Sequence, residues 1–220
     1  MRTRIKICGI GSAEEARLAV AAGADALGFV SEMPMGRGTL PDGKIRALAA
    51  SVAVESVLLT ARRTAAAIAD HVRATRPSAV QIVAHIDPAE SARLAVLLPD
   101  VKRLQAVHVE GPEAVDLVAG YAPHVDALVL DSGRPSTDPD ALGGTGTTHD
   151  WTISAQCVAA SPRPVYLAGG LDAHNVAAAI AAVRPYGVDL FSGVRSGPAL
   201  DAAKLAAFVR AVAEADAARG

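Results

Sequence analysis

Length, composition and charge set the first limits on this chain. It has 220 residues, of which 51% are hydrophobic and 3% aromatic, and its formal net charge is −2. A chain of this size can bury one sizeable core, so we expect residues 1–220 to form a single domain. The sequence shows no basic stripe and few aromatic rings on which bases could stack, which argues against nucleic acid as a partner.

Cysteine usage and hydropathy favour a cytoplasmic protein. The two cysteines, Cys8 and Cys157, are too few for a disulfide framework and alone cannot form a zinc site. We expect Cys157 to pack in the core of a helix. No apolar run approaches the roughly 18 residues of a membrane span, and the N-terminal residues lack the apolar region of a signal peptide. We therefore expect a cytoplasmic location, no membrane contact and no metal site.

Short apolar runs alternate with longer segments of helical period along the whole chain. Several of these runs are continuously apolar, which is typical of strands that are covered on both faces. In chain order, the predicted strands are residues 4–8, 26–30, 55–59, 79–82, 102–107, 127–130, 164–168 and 188–191.

Helix-start signals lie in the segments between these strands. Ser12 and Glu15 have the spacing of a capping box, and Asp87 precedes a proline at the first helical position. Asp150 is placed to cap the helix that follows it. An alanine-rich last helix starts near Asp201.

Eight strand–helix units predict an α/β protein with parallel strands, closed into a single (β/α)8 (TIM) barrel. The alternative is an open doubly wound sheet. A dinucleotide-binding form of that sheet is disfavoured, because no G-x-G-x-x-G motif follows the first strand. In a barrel, functional residues gather at the C-terminal ends of the strands.

Two reactive side chains stand at such ends, Cys8 after the first strand and Asp131 after the sixth. A thiolate can act as a base and a protonated carboxyl group as an acid. Each also has a simpler interpretation, Cys8 as a buried core thiol and Asp131 as a turn residue. We expect Lys6 to lie one step below Cys8 without assisting it, and to form a core salt bridge instead.

Other acidic and basic residues have weaker signals. Asp126 and Asp189 lie near the starts of their strands, so we expect them at the opposite end of the barrel, stabilising turns. His85 and His108 follow strands four and five and could line the mouth of the barrel. Arg195 either contacts a phosphate group or faces solvent, and the sequence leaves both open.

Glycine-rich turns follow the last two strands. Gly169 and Gly170 follow strand seven, and Ser192 and Gly193 follow strand eight. Glycines let backbone N–H groups approach an oxyanion, and these are the loops in which barrels often hold phosphate. Ordinary strand-ending turns are the alternative. Arg37, after strand two, suits a carboxylate or is a solvated loop charge.

A set of motifs resembles one enzyme family. The motifs are K-I-C-G-I at residues 6–10, G-A-D-A-L-G-F-V at 23–30, V-Q-I at 80–82, L-D at 130–131, G-G-T-G at 143–146, D-W at 150–151, L-A-G-G-L at 167–171 and V-D-L-F-S-G-V at 188–194. In this order they resemble the phosphoribosylanthranilate isomerases of tryptophan biosynthesis. The resemblance implies a (β/α)8 barrel and an Amadori rearrangement that needs no metal or organic cofactor.

The resemblance also implies roles for individual residues. Cys8 corresponds to the general base, Asp131 to the general acid and Arg37 to the group that holds the anthranilate carboxylate. The implied substrate-binding set is Arg37, Gln81, Gly144, Gly146, Gly169, Gly170, Ser192 and Gly193. Within it, Gly170 and the Ser192–Gly193 pair correspond to phosphate ligands, and Gly144 to Gly146 to part of a flexible loop over the substrate.

The chain departs from the family pattern at several places, among them the ends of strands four and eight. The family's V-Q-L-H-G after strand four is V-Q-I-V-A here, so the family histidine is absent or displaced to His85. The family's S-G-V-E is S-G-V-R here, with Arg195 in place of the glutamate. The implied reaction converts N-(5-phosphoribosyl)anthranilate to 1-(2-carboxyphenylamino)-1-deoxyribulose 5-phosphate. The alternatives are a paralogue acting on another phosphorylated aminosugar and a non-catalytic sugar-phosphate-binding barrel. A monomer and a homodimer are both open.

Overall fold

A computed structural model describes residues 2–34, 38–138, 142 and 146–219. Eight parallel strands close into a barrel in which each strand pairs with the next and β8 pairs with β1. The strands are β1 (Arg4–Cys8), β2 (Ala26–Val30), β3 (Glu55–Thr60), β4 (Ala79–Ile82), β5 (Lys102–His108), β6 (Ala127–Asp131), β7 (Val165–Leu167) and β8 (Gly187–Leu190). The predicted barrel is confirmed, and the open sheet is excluded.

In the described part of the chain, eight α-helices surround the strands. They are α1 (Ala13–Ala22), α2 (Asp42–Ala50), α3 (Ala65–Thr75), α4 (Pro88–Leu97), α5 (Ala114–Tyr121), α6 (Trp151–Ala160), α7 (Val176–Val183) and α8 (Ala202–Arg219). A short antiparallel pair, β9 (Arg195–Ser196) and β10 (Ala199–Leu200), lies between β8 and α8. Within the described ranges, no helix has the length and apolar character needed to cross a membrane.

The predicted helix starts are present, with one change at α1. The Ser12 hydroxyl accepts a hydrogen bond from the Glu15 backbone N–H at 3.1 Å, as in a capping box. The Glu15 carboxylate, however, accepts from the N–H of Gly11 at 2.7 Å instead of from Ser12. Asp87 and Asp150 cap α4 and α6 through their side chains.

Alternation along the strands divides the core into two layers. In β1, Ile5 and Ile7 face the helices, whereas Cys8 belongs to the cluster inside the barrel. Cys157 is fully buried between strands and helices, as predicted. The period of two along a strand therefore directs Lys6 and Cys8 to the barrel interior.

Candidate active site

A cavity of about 140 Å³ opens at the C-terminal ends of the strands. Its wall contains both predicted catalytic side chains, Cys8 from β1 and Asp131 from β6. Of the predicted binding residues, those on the wall are Gln81, Gly146, Gly169, Gly170 and Ser192. The barrel therefore brings together residues from five strand ends that lie up to 184 positions apart (Cys8 to Ser192).

Of the remaining predicted binding residues, Gly193 is described and is not among the residues of this wall. Gly193 packs against the loop after β7, since a Cβ added there would lie 2.0 Å from the carbonyl oxygen of Leu171. Arg37 and Gly144 lie outside the described residues. Gln81 is buried on the wall, and its Oε1 has no hydrogen-bond partner within the described part of the chain.

Cys8 lies in a buried cluster with two charged side chains. The Lys6 ammonium donates to the Cys8 sulfur and to Asp189 Oδ2, both at 2.7 Å. The Cys8 thiol donates to Asp189 Oδ1 at 3.1 Å. Lys6, Cys8 and Asp189 are 0%, 5% and 4% exposed, so water does not screen these contacts.

This cluster corrects two predictions. Lys6 forms the expected core salt bridge, but it also contacts Cys8, which was not expected. Asp189 lies among the residues of the cavity wall and not at the opposite end of the barrel. The reason is the stagger of the strands, because Asp189 is the third of only four residues in β8 and pairs in register with Lys6. Asp126 does stabilise a turn, bonded to the backbone N–H of Arg103 at 2.8 Å.

The pKa of the Cys8 thiol is shifted upward. Burial is the main cause, and the negative charge of Asp189 adds to it, while the Lys6 ammonium acts in the opposite direction. The resting side chain is therefore a neutral thiol. Its own proton must leave the sulfur if the sulfur is to accept another.

Burial also raises the pKa of Asp131. The interaction with His108 and a hydrogen bond from the Ser132 backbone N–H at 2.7 Å oppose this shift, and the charge of Asp189 supports it. A carboxyl group with a raised pKa retains its proton more readily near neutral pH. The direction of this shift favours the protonated form, which is the form that a general acid uses.

The glycine turn after β7 is shaped by close backbone contacts. Gly169 and Gly170 have φ angles of +83° and +61°, a region that other residues rarely adopt. A Cβ on Gly170 would lie 2.6 Å from the carbonyl carbon of Thr147. The Asn175 amide donates to the Gly170 carbonyl at 2.9 Å and holds the turn in place. Backbone groups rather than side chains therefore form this part of the wall.

Comparison with known proteins agrees with this geometry. The model of the N-(5'phosphoribosyl)anthranilate (PRA) isomerase family matches residues 5–211. The chain belongs to this family. An N-(5'-phosphoribosyl)anthranilate isomerase of Azorhizobium caulinodans is 39% identical over 99% of this chain and 95% of its own length. An N-(5'-phosphoribosyl)anthranilate isomerase of Halobacterium salinarum is 38% identical over 97% of this chain and 98% of its own length.

Solved PRA isomerases have the same fold. The enzyme of Pyrococcus furiosus superposes with a TM-score of 0.81 at 26% identity, covering 97% of this chain and 100% of its own. A PRA isomerase in complex with reduced 1-(o-carboxyphenylamino)-1-deoxyribulose 5-phosphate superposes with a TM-score of 0.80 at 26% identity. The match covers 96% of this chain and 99% of that one.

The first departure from the PRA isomerase pattern lies after β4. Val83 is on the cavity wall at the position of the family histidine, and neither His85 nor His108 is among the wall residues. His108 is buried on β5, in register with Asp131, with its Nε2 2.9 Å from the Val83 carbonyl oxygen. The His85 ring lies beside it, with ring centroids 5.1 Å apart and ring planes tilted by 40°, and burial lowers the pKa of His85 to about 4.

The second departure is Arg195, which faces neither solvent nor the cavity. It is 8% exposed and forms an ion pair with Glu15 at 3.1 Å. It also donates to the carbonyl oxygen of Gly9 at 2.5 Å, directly after the predicted base, and its guanidinium lies 5.0 Å from the centre of the Phe191 ring. Arg195 therefore joins the end of β1 to the loop that carries Ser192.

No group of three or more His, Cys, Asp or Glu side chains able to hold a metal ion occurs within residues 2–34, 38–138, 142 and 146–219. Lys6 and Asp189 are the site residues that the sequence interpretation missed. A signal for them existed, since a lysine inside an apolar strand needs a buried partner.

Proposed function

We propose that this chain isomerises N-(5'-phosphoribosyl)anthranilate to 1-(2-carboxyphenylamino)-1-deoxyribulose 5-phosphate, a step of tryptophan biosynthesis. The observation that carries the proposal is a single cavity whose wall holds Cys8 and Asp131 from opposite parts of the chain. The solved PRA isomerase that contains a reduced carboxyphenylamino deoxyribulose phosphate supports the same class of ligand.

Asp131 supplies the first proton. Opening of the aminoaldose ring requires a proton on the furanose oxygen, and the raised pKa of Asp131 keeps that proton available. As the C1–O bond breaks, the nitrogen lone pair forms a C=N bond, which gives a protonated imine. The positive charge makes the C2 proton of the sugar acidic. The carboxylate that remains on Asp131 lies beside His108 on the neighbouring strand, which limits the cost of its charge.

Cys8 receives the second proton. Loss of the C2 proton from the protonated imine gives a neutral enolamine, which tautomerises to the aminoketose product. The sulfur of Cys8 is the reactive group of β1 on the cavity wall. Each acid or base in such a reaction contributes about 10²–10⁴-fold to the rate.

The remaining site residues bind the two anionic ends of the substrate. We assign the phosphate to backbone N–H groups of Gly169, Gly170 and Gly193 and to the Ser192 hydroxyl. We assign the anthranilate carboxylate to Arg37, because the corresponding residue has this role in the PRA isomerase family. We place Gln81, Gly144 and Gly146 in contact with the rest of the substrate.

The assay uses substrate made from anthranilate and phosphoribosyl pyrophosphate by the transferase that precedes this step, and follows its disappearance by fluorescence. Cys8→Ser and Asp131→Asn should each lower kcat by about 10²–10⁴-fold with little change in KM. Cys157→Ala, which alters the other buried thiol, is the matched control and should retain kcat.

Absence of turnover by folded wild-type protein would refute the proposal. Turnover at the wild-type rate in Cys8→Ser would refute only the assignment of Cys8 as the base and would leave the proposed reaction standing. The relatives compared above carry PRA isomerase as their name, and no observation favours a different aminosugar or a non-catalytic barrel. A cytoplasmic location and a monomeric or homodimeric state remain predictions.

A further inference from the structure

If Cys8 acts as a base, its thiol proton needs an acceptor, and Asp189 and Lys6 contact the sulfur. A neutral thiol cannot accept a proton unless its own proton leaves, and the pKa of Cys8 is raised. The thiol hydrogen points to Asp189, because a carboxylate only accepts and its Oδ1 lies 3.1 Å from the sulfur. The Lys6 ammonium contacts both groups at 2.7 Å.

We propose that Asp189 is a further catalytic residue, which accepts the thiol proton of Cys8 while the sulfur takes the C2 proton of the substrate. This inference rests on the proposed function and adds to it the destination of the proton. Asp189 is on the cavity wall next to Cys8, so both ends of the transfer lie at the substrate site.

The step balances in protons and electrons. The C2–H bond of the protonated imine breaks, its electron pair forms the C=C bond of the enolamine, and the C=N π pair returns to the nitrogen, while a new S–H bond forms. The original S–H bond breaks at the same time, and its proton forms an O–H bond on Asp189. Lys6 remains an ammonium throughout. Asp189 then returns the proton to Asp131 through solvent that enters the emptied cavity.

Charge favours this arrangement over a permanent thiolate. With Lys6 positive, Asp189 negative and Cys8 neutral, the resting cluster has no net charge, which suits its nearly complete burial. A thiolate beside an ionised Asp189 would place two negative charges 3.1 Å apart. Transfer to Asp189 avoids that state, because the carboxyl group becomes neutral as the sulfur gains electron density.

The other elements around the cluster add few competing groups. Gly28 on β2 faces the sulfur and has no side chain. Tyr166 on β7 and Asp131 on β6 interact electrostatically with Lys6 and Asp189. Asp131 is the acid of the same reaction, and Tyr166 remains a neutral phenol because burial raises its pKa.

The test combines turnover with direct detection of the thiolate by its ultraviolet absorbance. Asp189→Asn keeps the shape of the side chain and removes the anionic acceptor. We expect kcat at neutral pH to fall by about 100-fold or more. Because Lys6 is then the only charge beside the sulfur, thiolate should appear at a lower pH than in wild type, and the residual rate should rise with it.

Controls separate these effects from simple damage. Cys8→Ser combined with Asp189→Asn should remove the absorbance signal, which assigns it to Cys8. Asp126→Asn, which alters a carboxylate in a turn at the start of β6, should leave kcat and the thiolate titration unchanged. If Asp189→Asn does not fold, the double variant Lys6→Met with Asp189→Asn removes both charges together.

Wild-type kcat in Asp189→Asn, or in the double variant, overturns the inference. An identical thiolate titration in wild type and Asp189→Asn also overturns it. The absorbance measurement needs no substrate, so it reports the coupling of Cys8 and Asp189 even if wild-type protein fails to isomerise PRA. Failure of the proposed function and failure of this inference are therefore distinguishable.

Discussion

Replacement of Gly28 by alanine tests whether the position of the Cys8 sulfur controls catalysis. Gly28 lies on β2, in register with Cys8 on β1. A Cβ added at Gly28 would lie 2.5 Å from the Cys8 sulfur, 3.1 Å from Cys8 Cα and 3.0 Å from Leu59 Cδ1. The backbone of β1 is fixed by its two neighbouring strands, so the sulfur is the group that must move.

The size of the effect follows from these distances. Favourable contact between nonbonded heavy atoms begins at about 3.5 Å, so the sulfur must shift by about 1 Å from its place 2.5 Å from the new methyl carbon. A displacement of about 1 Å at a reacting group costs about 100-fold in rate. Overpacking of a buried site costs about 1–3 kcal/mol of stability.

The measurement is kcat in the PRA isomerase assay together with urea unfolding. Gly120→Ala is the matched control, because nothing lies within 4 Å of its added Cβ and the residue is in helix α5. That change should leave kcat unaltered and raise the free energy of unfolding by about 0.5–1 kcal/mol. Wild-type kcat in Gly28→Ala would refute the reasoning.

Two further predictions concern charged groups. Arg195→Met should lower the free energy of unfolding by about 1.5–3 kcal/mol, because it removes charged hydrogen bonds to the partly exposed Glu15, and it should raise KM through the loop that carries Ser192. Arg210→Met, which removes an exposed ion pair, should change the free energy of unfolding by less than about 0.5 kcal/mol. An equal loss of stability in both variants would contradict the role of Arg195 in joining the end of β1 to the loop that carries Ser192. Asp216 has a pKa below its usual value, because hydrogen bonds from Thr3 outweigh its burial. Its contribution is complete above the unfolded pKa of about 3.9 and is lost as pH falls through the lower folded value, so Asp216→Asn should cost stability at pH 7 and much less in strongly acidic urea titrations.

The strands and the two reactive residues were predictable because their signals are local. Continuous apolar runs define β1 and β6, and Cys8 and Asp131 stand at the point where each run ends. The bounds of β1, β2 and β4 were predicted without error, and those of the other five strands differ by at most one residue. Once eight units are recognised, closure of the barrel brings the strand ends together without further information.

The network of Arg195 was not predictable in this way. Its partners come from α1, from the turn after β1 and from the segment before β10, and no spacing in the sequence connects them. The same holds for His108, whose closeness to Asp131 depends on the register of β5 against β6. Register in a parallel barrel is fixed by packing over the whole sheet, not by any one strand.

Asp189 is different, because the sequence contained enough information to place it. Lys6 was expected to be inside the barrel in a core salt bridge, and a buried ammonium requires a buried carboxylate. Apart from Glu55, at the first position of its strand, Asp189 is the only acidic residue in the predicted strands. Its partner was therefore identifiable by elimination. The position of Asp189 near the start of strand eight wrongly indicated the opposite end of the barrel, because strands in a barrel are staggered. The need to neutralise Lys6 does not depend on strand bounds. In a staggered sheet, matching buried charges is a better guide to depth than position within a strand.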